Sequence, residues 1–477
     1  MSTRTKTIWT FVVTSVAVFM VSLDNLVVTT ALPVIKQDLG ASLQGLEWTV
    51  NAYTLTFAVL LLTGAALGDR FGRKRMFGIG LAVFTLGSAL AALAPTIGTL
   101  IGARALQGVG GAIVTPLTLT ILSAAVPPAR RGLALGIWGG VSGLAVAIGP
   151  VVGGAVVEGL SWQWIFWLNV PIGIALLPIA WLRLTESKGP NRSLDLPGLA
   201  LASTGLLGIV WGLIRGNEHG WTSLGVAGPI AAGVVLIAAF VLWELHTPEP
   251  MVPMRFFRKR AFAAANVTSL LMSFGMFGAI FLLAQFFQVV QGYSPLEAGV
   301  RTLPWTAMPI LVAPIAGILS DRIGARPLIV AGMALMAGGM AWIATIATPT
   351  VPYGELVPAF VMAGTGMSLY FAPVASLVLS AVRRSEEGKA SGVNNTIREV
   401  GGVFGVAVLA SVFAAAGSYV SPQAFVEGMV PAIWVAAGAV GAATVAAVAI
   451  PPKQDVVESV SYLERPDDDR AAAETAA

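Results

Sequence analysis

A chain of 477 residues that is 56% hydrophobic and only 11% charged cannot clothe a globular surface in water, because soluble domains carry about 25% charged residues. That excludes a soluble enzyme, a nucleic-acid binder and a disordered protein. The net charge is only +4, there is no cysteine and there are two histidines, so disulfides, thiolate chemistry and a metal centre are not expected.

What remains is an all-α membrane protein that crosses the bilayer many times. Each crossing needs about 20 mainly apolar residues. In chain order such runs cover 9–32, 48–67, 76–94, 97–124, 133–157, 164–184, 197–214, 225–244, 262–290, 302–320, 327–347, 356–380, 390–416 and 430–450. They are continuously apolar rather than alternating, which predicts 14 transmembrane helices and not barrel strands. The first run is too long for a cleavable signal and contains Asp24.

An even number of spans puts both termini on one side. With that side in the cytoplasm, twenty-three of the 28 Lys and Arg fall in inner segments. Only Lys36, Arg215 and Arg301 fall outside, and Arg104 and Arg398 lie within spans. This asymmetry obeys the positive-inside rule and predicts cytoplasmic termini. From Pro451 the apolar pattern stops, and the chain runs to Asp467, Asp468 and Asp469. This stretch is expected to be a disordered cytoplasmic tail.

One internal repeat organises the rest. Gly68-Asp69-Arg70-Phe71-Gly72-Arg73-Lys74 follows span 2, and Ser320-Asp321-Arg322-Ile323-Gly324-Ala325-Arg326 follows span 10. Both copies sit at a tight inner turn. The repeat predicts two six-helix bundles related by pseudo-twofold symmetry, a transporter signature. The expected organisation is an N-terminal bundle over 1–195, an intervening two-helix hairpin over 196–250, a C-terminal bundle over 251–450 and the tail over 451–477.

The first copy, preceded by Gly64, resembles the signature loop of the major facilitator superfamily. Leu23-Asp24-Asn25-Leu26-Val27-Val28-Thr29-Thr30-Ala31-Leu32-Pro33 is similar to the span 1 motif of its fourteen-span drug:proton antiporters. Arg104-x-x-Gln107-Gly108-x-Gly110-Gly111 resembles the span 4 motif, and Gly149-Pro150-x-x-Gly153-Gly154 the antiporter motif of span 5. The run from Trp162 to Gly173 resembles the segment that opens span 6 in the same group. The resemblance covers roughly residues 9–450. It implies proton-coupled efflux of amphipathic drugs or antibiotics across a bacterial inner (plasma) membrane, by a monomer without cofactors. The partners implied are a small amphipathic substrate, protons and the lipid bilayer. It also implies that Asp69, Arg70, Arg73, Asp321 and Arg322 form a conformational latch, in which Asp69 faces a helix N-terminus of the other bundle. The alternatives are that these charges only set topology, and that the fold carries an importer or a non-transport scaffold or receptor.

Charges inside spans are costly and mark candidate sites. Asp24 lies nine residues before Pro33, roughly 13 Å deep, and Arg104 seven residues after Ile97, roughly 10 Å deep from the same side. They are expected to share one buried site. Burial favours the protonated form of a carboxyl and a nearby arginine favours its ionised form. Changing their separation would therefore couple proton binding to conformation; a permanent structural ion pair is the alternative. In span 13, Glu399 either binds a proton or cation or sits in a wet vestibule beside a basic group, with Arg398 as its neighbour. Glu158 and Glu244, at span ends, are expected to be solvated. Substrate contacts are sought at Phe274, Phe277, Phe281 and Gln285, which share a helix stripe, and at Asn25, Gln107, Trp305, Tyr370, Asn394 and Arg398. Packing is the alternative for the stripe.

Overall fold

The structure is a computed structural model that describes residues 3–126, 131–188, 194–383 and 386–452. The acidic tail from Lys453 onward lies outside the described residues. Among the described residues every regular element is helical. Fourteen long helical segments follow one another: α1 Thr3–Asp38, α2 Leu43–Phe71, α3 Arg73–Ala92, α4 Ile97–Ala125, α5 Arg131–Gly159, α6 Trp164–Arg183, α7 Leu196–His219, α8 Leu224–His246, α9 Arg260–Val290, α10 Pro295–Ile323, α11 Ala325–Ile346, α12 Tyr353–Ser380, α13 Glu387–Ala416 and α14 Pro422–Val448. Thirteen of them are long and apolar enough to cross a membrane. The other, α5, spans 29 residues. The chain is a multi-pass membrane protein.

Each predicted span lies on one of these helices. Most helices run past the apolar stretch, because polar caps carry the backbone bonds into the aqueous layers. Ser42, Ser294 and Ser421 cap α2, α10 and α14 by accepting backbone N–H bonds. Three helices are interrupted. The α10 segment is made of Pro295–Arg301, Leu303–Thr306 and Met308–Ile323. Pro304 and Pro309 lie in the first turns of the second and third pieces, where a missing N–H is tolerated. The α6 segment breaks at Leu168, so Asn169 starts its second piece. The last turn of α9, Phe286–Val290, widens to a π-helix.

Packing follows the small residues. The helix α4 lies between α2 and α3, and α1 packs on α5. A Cβ at Gly64 would overlap the Ala112 carbonyl, so the glycine lets α2 and α4 backbones approach. Among the later helices, α11 packs on α12 and α14, and α9 on α13 and α14. The α7–α8 hairpin packs mainly on itself, with α7 also against α2 and α13. Two contacts dominate where the earlier helices meet the later ones, that of α5 with the first piece of α10 and that of α2 with α13, and α1 also touches α9. In the first, Gly154 faces the backbone at Pro295, and Gly299 faces Pro150; a Cβ at either would overlap a backbone carbonyl.

Candidate functional site

The structure brings Asp24 and Arg104 together, out of water. Each is 1% exposed. Arg104 Nη1 donates to Asp24 Oδ2 at 2.5 Å and to Gln107 Oε1 at 2.9 Å, and Arg104 Nε donates to the Thr49 carbonyl at 3.2 Å. The guanidinium carbon stands 4.2 Å from the Tyr53 ring centroid, a cation–π contact. Asp24 Oδ1 accepts from Gln107 Nε2 and from Asn169 Nδ2, both at 2.8 Å. Gln107 Nε2 also donates to Ser88 Oγ at 2.7 Å. The network therefore draws on α1, α2, α3, α4 and α6. Arg104, Gln107 and Asn169 all donate to one carboxylate, and charge-assisted bonds of this kind are the strong ones.

Local sequence explains the convergence. Arg104 and Gln107 are three residues apart and share a face of α4. Gly108 follows, and a Cβ there would overlap the Tyr53 carbonyl of α2. That close approach is what lets Arg104 reach the Thr49 carbonyl. The break at Leu168 places Asn169 at the start of a helical piece, opposite Asp24. Gln107, expected among the substrate contacts, belongs to this network instead. Asn25 is half-buried and takes no part in it. Asn169, Ser88, Tyr53 and the Thr49 carbonyl escape sequence reading. Asn169 had one signal, a polar side chain at the mouth of an apolar span.

The loop after α2 is organised differently from expectation. Asp69 Oδ1 accepts from Arg73 Nε, and the pair stands at 2.9 Å within its own turn. Arg70 is exposed, beside the Phe71 ring. The helix N-terminus that gains a carboxylate is that of α3, and the carboxylate is Glu186, just after α6. It accepts from Lys74 N at 3.0 Å and from Arg75 N at 3.2 Å, while Arg73 N donates to the Ser187 carbonyl at 2.8 Å. Gly72 turns with φ +110°, and a Cβ there would overlap that carboxylate. In the second copy Gly324 has φ +87°, Arg322 is exposed, and the Asp321 side chain lies outside what is described.

The phenylalanine stripe of α9 faces α13. Phe277 lies against Gly402 of α13, and the Phe274 backbone against Gly405. Phe281 is wholly buried. Gln285 Nε2 donates to the Phe281 carbonyl, and its Oε1 accepts from Tyr419 Oη. None of the four lines either of the two cavities described next. Glycines on α13 bring that helix onto the stripe, and Phe274 and Phe277 stay half-buried.

One cavity, lined by Leu26 and Thr30 of α1, Pro150 of α5, Ile280 and Leu283 of α9 and Trp305 of α10, lies where the earlier and later helices meet. Its walls are mainly apolar, and Trp305 Nε1 is buried without a hydrogen-bond partner. A second cavity is lined by Tyr370, Phe371, Ser391, Asn394, Asn395 and Arg398, among others. Tyr370 Oη donates to Ser269 Oγ at 2.5 Å, and Asn394 Nδ2 donates to Ser269 Oγ at 2.8 Å and to Asn266 Oδ1 at 3.1 Å. Arg398 thus faces a cavity, while Glu399 is 6% exposed beside it, 3.7 Å from the guanidinium. Glu399 Oε2 has no hydrogen-bond partner. Glu244, expected to reach water, is buried and accepts from Val252 N at 3.0 Å, which ties the end of α8 to the next turn. Glu158 is exposed as expected, and also accepts from Leu296 N at the start of α10.

Comparison with known proteins agrees with this architecture. The Major Facilitator Superfamily profile matches residues 14–406. The tetracenomycin C resistance and export protein of Streptomyces glaucescens is 35% identical over 426 residues, covering 89% of this chain and 79% of the relative. The puromycin resistance protein pur8 of Streptomyces alboniger is 36% identical over 453 residues, 92% of this chain and 90% of the relative. Among solved structures, the POT family transporter PepTSo superposes with a TM-score of 0.67 at 13% identity, covering 97% of this chain and 99% of that one. An inward-facing bacterial homologue of the lysosomal transporter Spinster gives 0.66 at 15% identity, covering 97% and 99%. These structures establish the fold alone. The chain belongs to the Major Facilitator Superfamily.

Proposed function

We propose that this chain, a transporter of the Major Facilitator Superfamily, is a proton-coupled exporter of amphipathic drugs or antibiotics. Two six-helix bundles, 1–195 and 251–450, rock about a central cavity with the 196–250 hairpin between them. Both termini face the cytoplasm of a bacterium. Relatives named for antibiotic resistance and export support the direction of transport.

One observation carries the coupling: the carboxylate of Asp24, buried in the first bundle and held by Arg104, Gln107 and Asn169. Such a carboxylate keeps its charge only while its donors stay in place. When the outer side opens and Arg104 draws away, Asp24 takes a proton from outside. When the bundles rock back, Arg104 returns and the proton leaves to the inside. The drug moves the other way.

The contacts on the outer side favour a state closed to the exterior. Thr306 Oγ1 donates to the Ala147 carbonyl at 3.0 Å, and Gln288 Nε2 donates to the Thr30 carbonyl at 2.9 Å. With Gly154 and Gly299 the Thr306 bond seals α5 against α10, and the Gln288 bond holds α9 against α1. Gly149 and Gly153 pack α5 on α1, beside the turn that holds Asp24. The drug site is assigned to the two cavities. Trp305 offers an unused donor beside apolar walls, and Arg398, Tyr370 and Asn394 offer polar contacts deeper in the second bundle. Asp69, Arg70, Arg73, Asp321 and Arg322 are assigned to the inner latch, engaged in another conformation. Glu399 is assigned to coupling within the second bundle.

The test is a susceptibility panel in bacteria with and without the protein, followed by tracer flux of any compound tolerated. The expected result is extrusion that stops when the proton gradient is collapsed. Gradient-driven accumulation in the cells would show an importer instead.

A further inference from the structure

The two cavities lie in different places and share one lack. Among the described residues no aspartate or glutamate lines either of them, and the one charged residue in their walls is Arg398. Arg398 stands eleven residues into α13 from Glu387, roughly 16 Å along the helix. A cation at that depth is costly and marks a candidate functional site. The protein leaves this one largely unspent. Arg398 Nη2 reaches Glu399 Oε1 only at 3.7 Å, beyond hydrogen-bond length. The guanidinium carbon is 5.7 Å from the Phe371 ring centroid. The Arg398 side chain is 29% exposed and that of Glu399 only 8%, so the cavity meets the cation and not the carboxylate behind it. Ser391, Asn394 and Asn395 stand one and two turns before Arg398 and extend the same polar wall.

The central cavity has the same preference for a different reason. Its four hydroxyls already donate to backbone: Thr29 to the Leu26 carbonyl, Thr30 to Val27, Thr302 to Gly299 and Thr306 to Ala147. The donor left over is Trp305 Nε1, buried and unpartnered, with the Phe360 ring 6.0 Å away. A buried donor without a partner is costly, and an occupant that brings an acceptor removes the cost. An organic cation would give up its hydration in either cavity and find no carboxylate there in return.

We propose that the substrates are aromatic acids, a flat ring system bearing an ionised carboxyl or phenol, and that Arg398 is the residue that selects the anion. This rests on the reading of the two cavities as the drug site of an exporter. In the cavity of the second bundle the anion lies on the guanidinium, whose planar fork suits a carboxylate, and the ring lies against Phe371. In the central cavity an oxygen of the same group accepts from Trp305 Nε1, and the ring packs on Phe360 and the apolar wall. Arg398 repels a cation of the same shape.

Anthracene bearing a carboxylate, a primary amide or an aminomethyl group at the same ring position supplies negative, neutral and positive probes of one shape. Their binding to the purified full-length protein in detergent is measured by calorimetry. The carboxylate is expected to bind about tenfold more tightly than the amide, the worth of one charge-assisted contact, and the ammonium more weakly than both. Arg398→Gln should bring the carboxylate level with the amide, and Arg398→Lys should keep part of the difference. Wild-type protein that binds the ammonium as tightly as the carboxylate, or does not bind the carboxylate, would overturn the proposal. So would an Arg398→Gln variant that weakens carboxylate and amide by the same factor. If that variant fails to fold, the wild-type order of the three probes still decides. Binding needs no gradient, so the two readings fail separately. A carboxylate that binds through Arg398 and is taken up rather than extruded contradicts the exporter and keeps the site. Extrusion confined to cations keeps the exporter and overturns the site.

Discussion

Asp24 and Arg104 are eighty residues apart in the chain and meet at 2.5 Å, each almost wholly out of water. The pair is built by two helices and steadied by three others. A buried ion pair adds little net stability against an apolar pair of the same volume, while removal of one partner is expensive. Such a pair persists where a change of its geometry is useful.

Arg104→Ala leaves Asp24 buried with no cation and is expected to cost about 3–5 kcal/mol of stability. Adding Asp24→Asn to that variant should recover much of the loss, because the orphaned charge is gone. A double-mutant cycle by denaturant unfolding in detergent checks this. Simple additivity of the two losses would mean that the residues do not interact energetically.

Gly154 and Gly299 make the α5–α10 contact possible, and a side chain at either meets a backbone carbonyl. Gly154→Val should therefore penalise the closed outer side by about 1–3 kcal/mol, a shift of about 5–150-fold in the conformational equilibrium. The chain has no cysteine, so Ala298→Cys, at a position buried in the cavity wall, gives a lone reporter. Labelling by a membrane-impermeant maleimide from outside should quicken in the Gly154→Val background. Equal labelling rates in the two backgrounds would rule out a gate at this contact.

Glu186 acts as a cap for α3, from a position beyond the signature loop. Glu186→Ala is expected to lower stability by about 1 kcal/mol, the usual worth of an N-terminal cap. Gly72→Ala should cost more, because φ +110° is strained for any residue with a Cβ and the methyl also meets the Glu186 carboxylate. Thermal unfolding in detergent reads both. A neutral Glu186→Ala would leave the N-terminus of α3 capped by other means.

The fourteen helices were legible because each apolar run is long and bounded by charge. The Asp24–Arg104 pair was legible because charges within spans are so few that two at matching depth stand out. Asn169 and Ser88 were not, since the spacing of neutral polar residues along one helix says nothing of a partner on another. The surroundings of the phenylalanine stripe were not legible for a related reason. Periodicity shows that Phe274, Phe277 and Phe281 share a face, and Gly402 and Gly405 on a distant helix set how closely α13 approaches it. Glu186 binds backbone N–H groups, which leave no mark in the sequence.

The central claim is that Asp24 carries the coupling proton. The direct measurement is proton movement out of or into proteoliposomes when a compound exported by the wild type is added. Wild-type protein should dissipate an imposed pH gradient in step with the compound, and Asp24→Asn, reconstituted to the same amount, should leave the gradient standing. Undiminished proton exchange in Asp24→Asn would contradict the account.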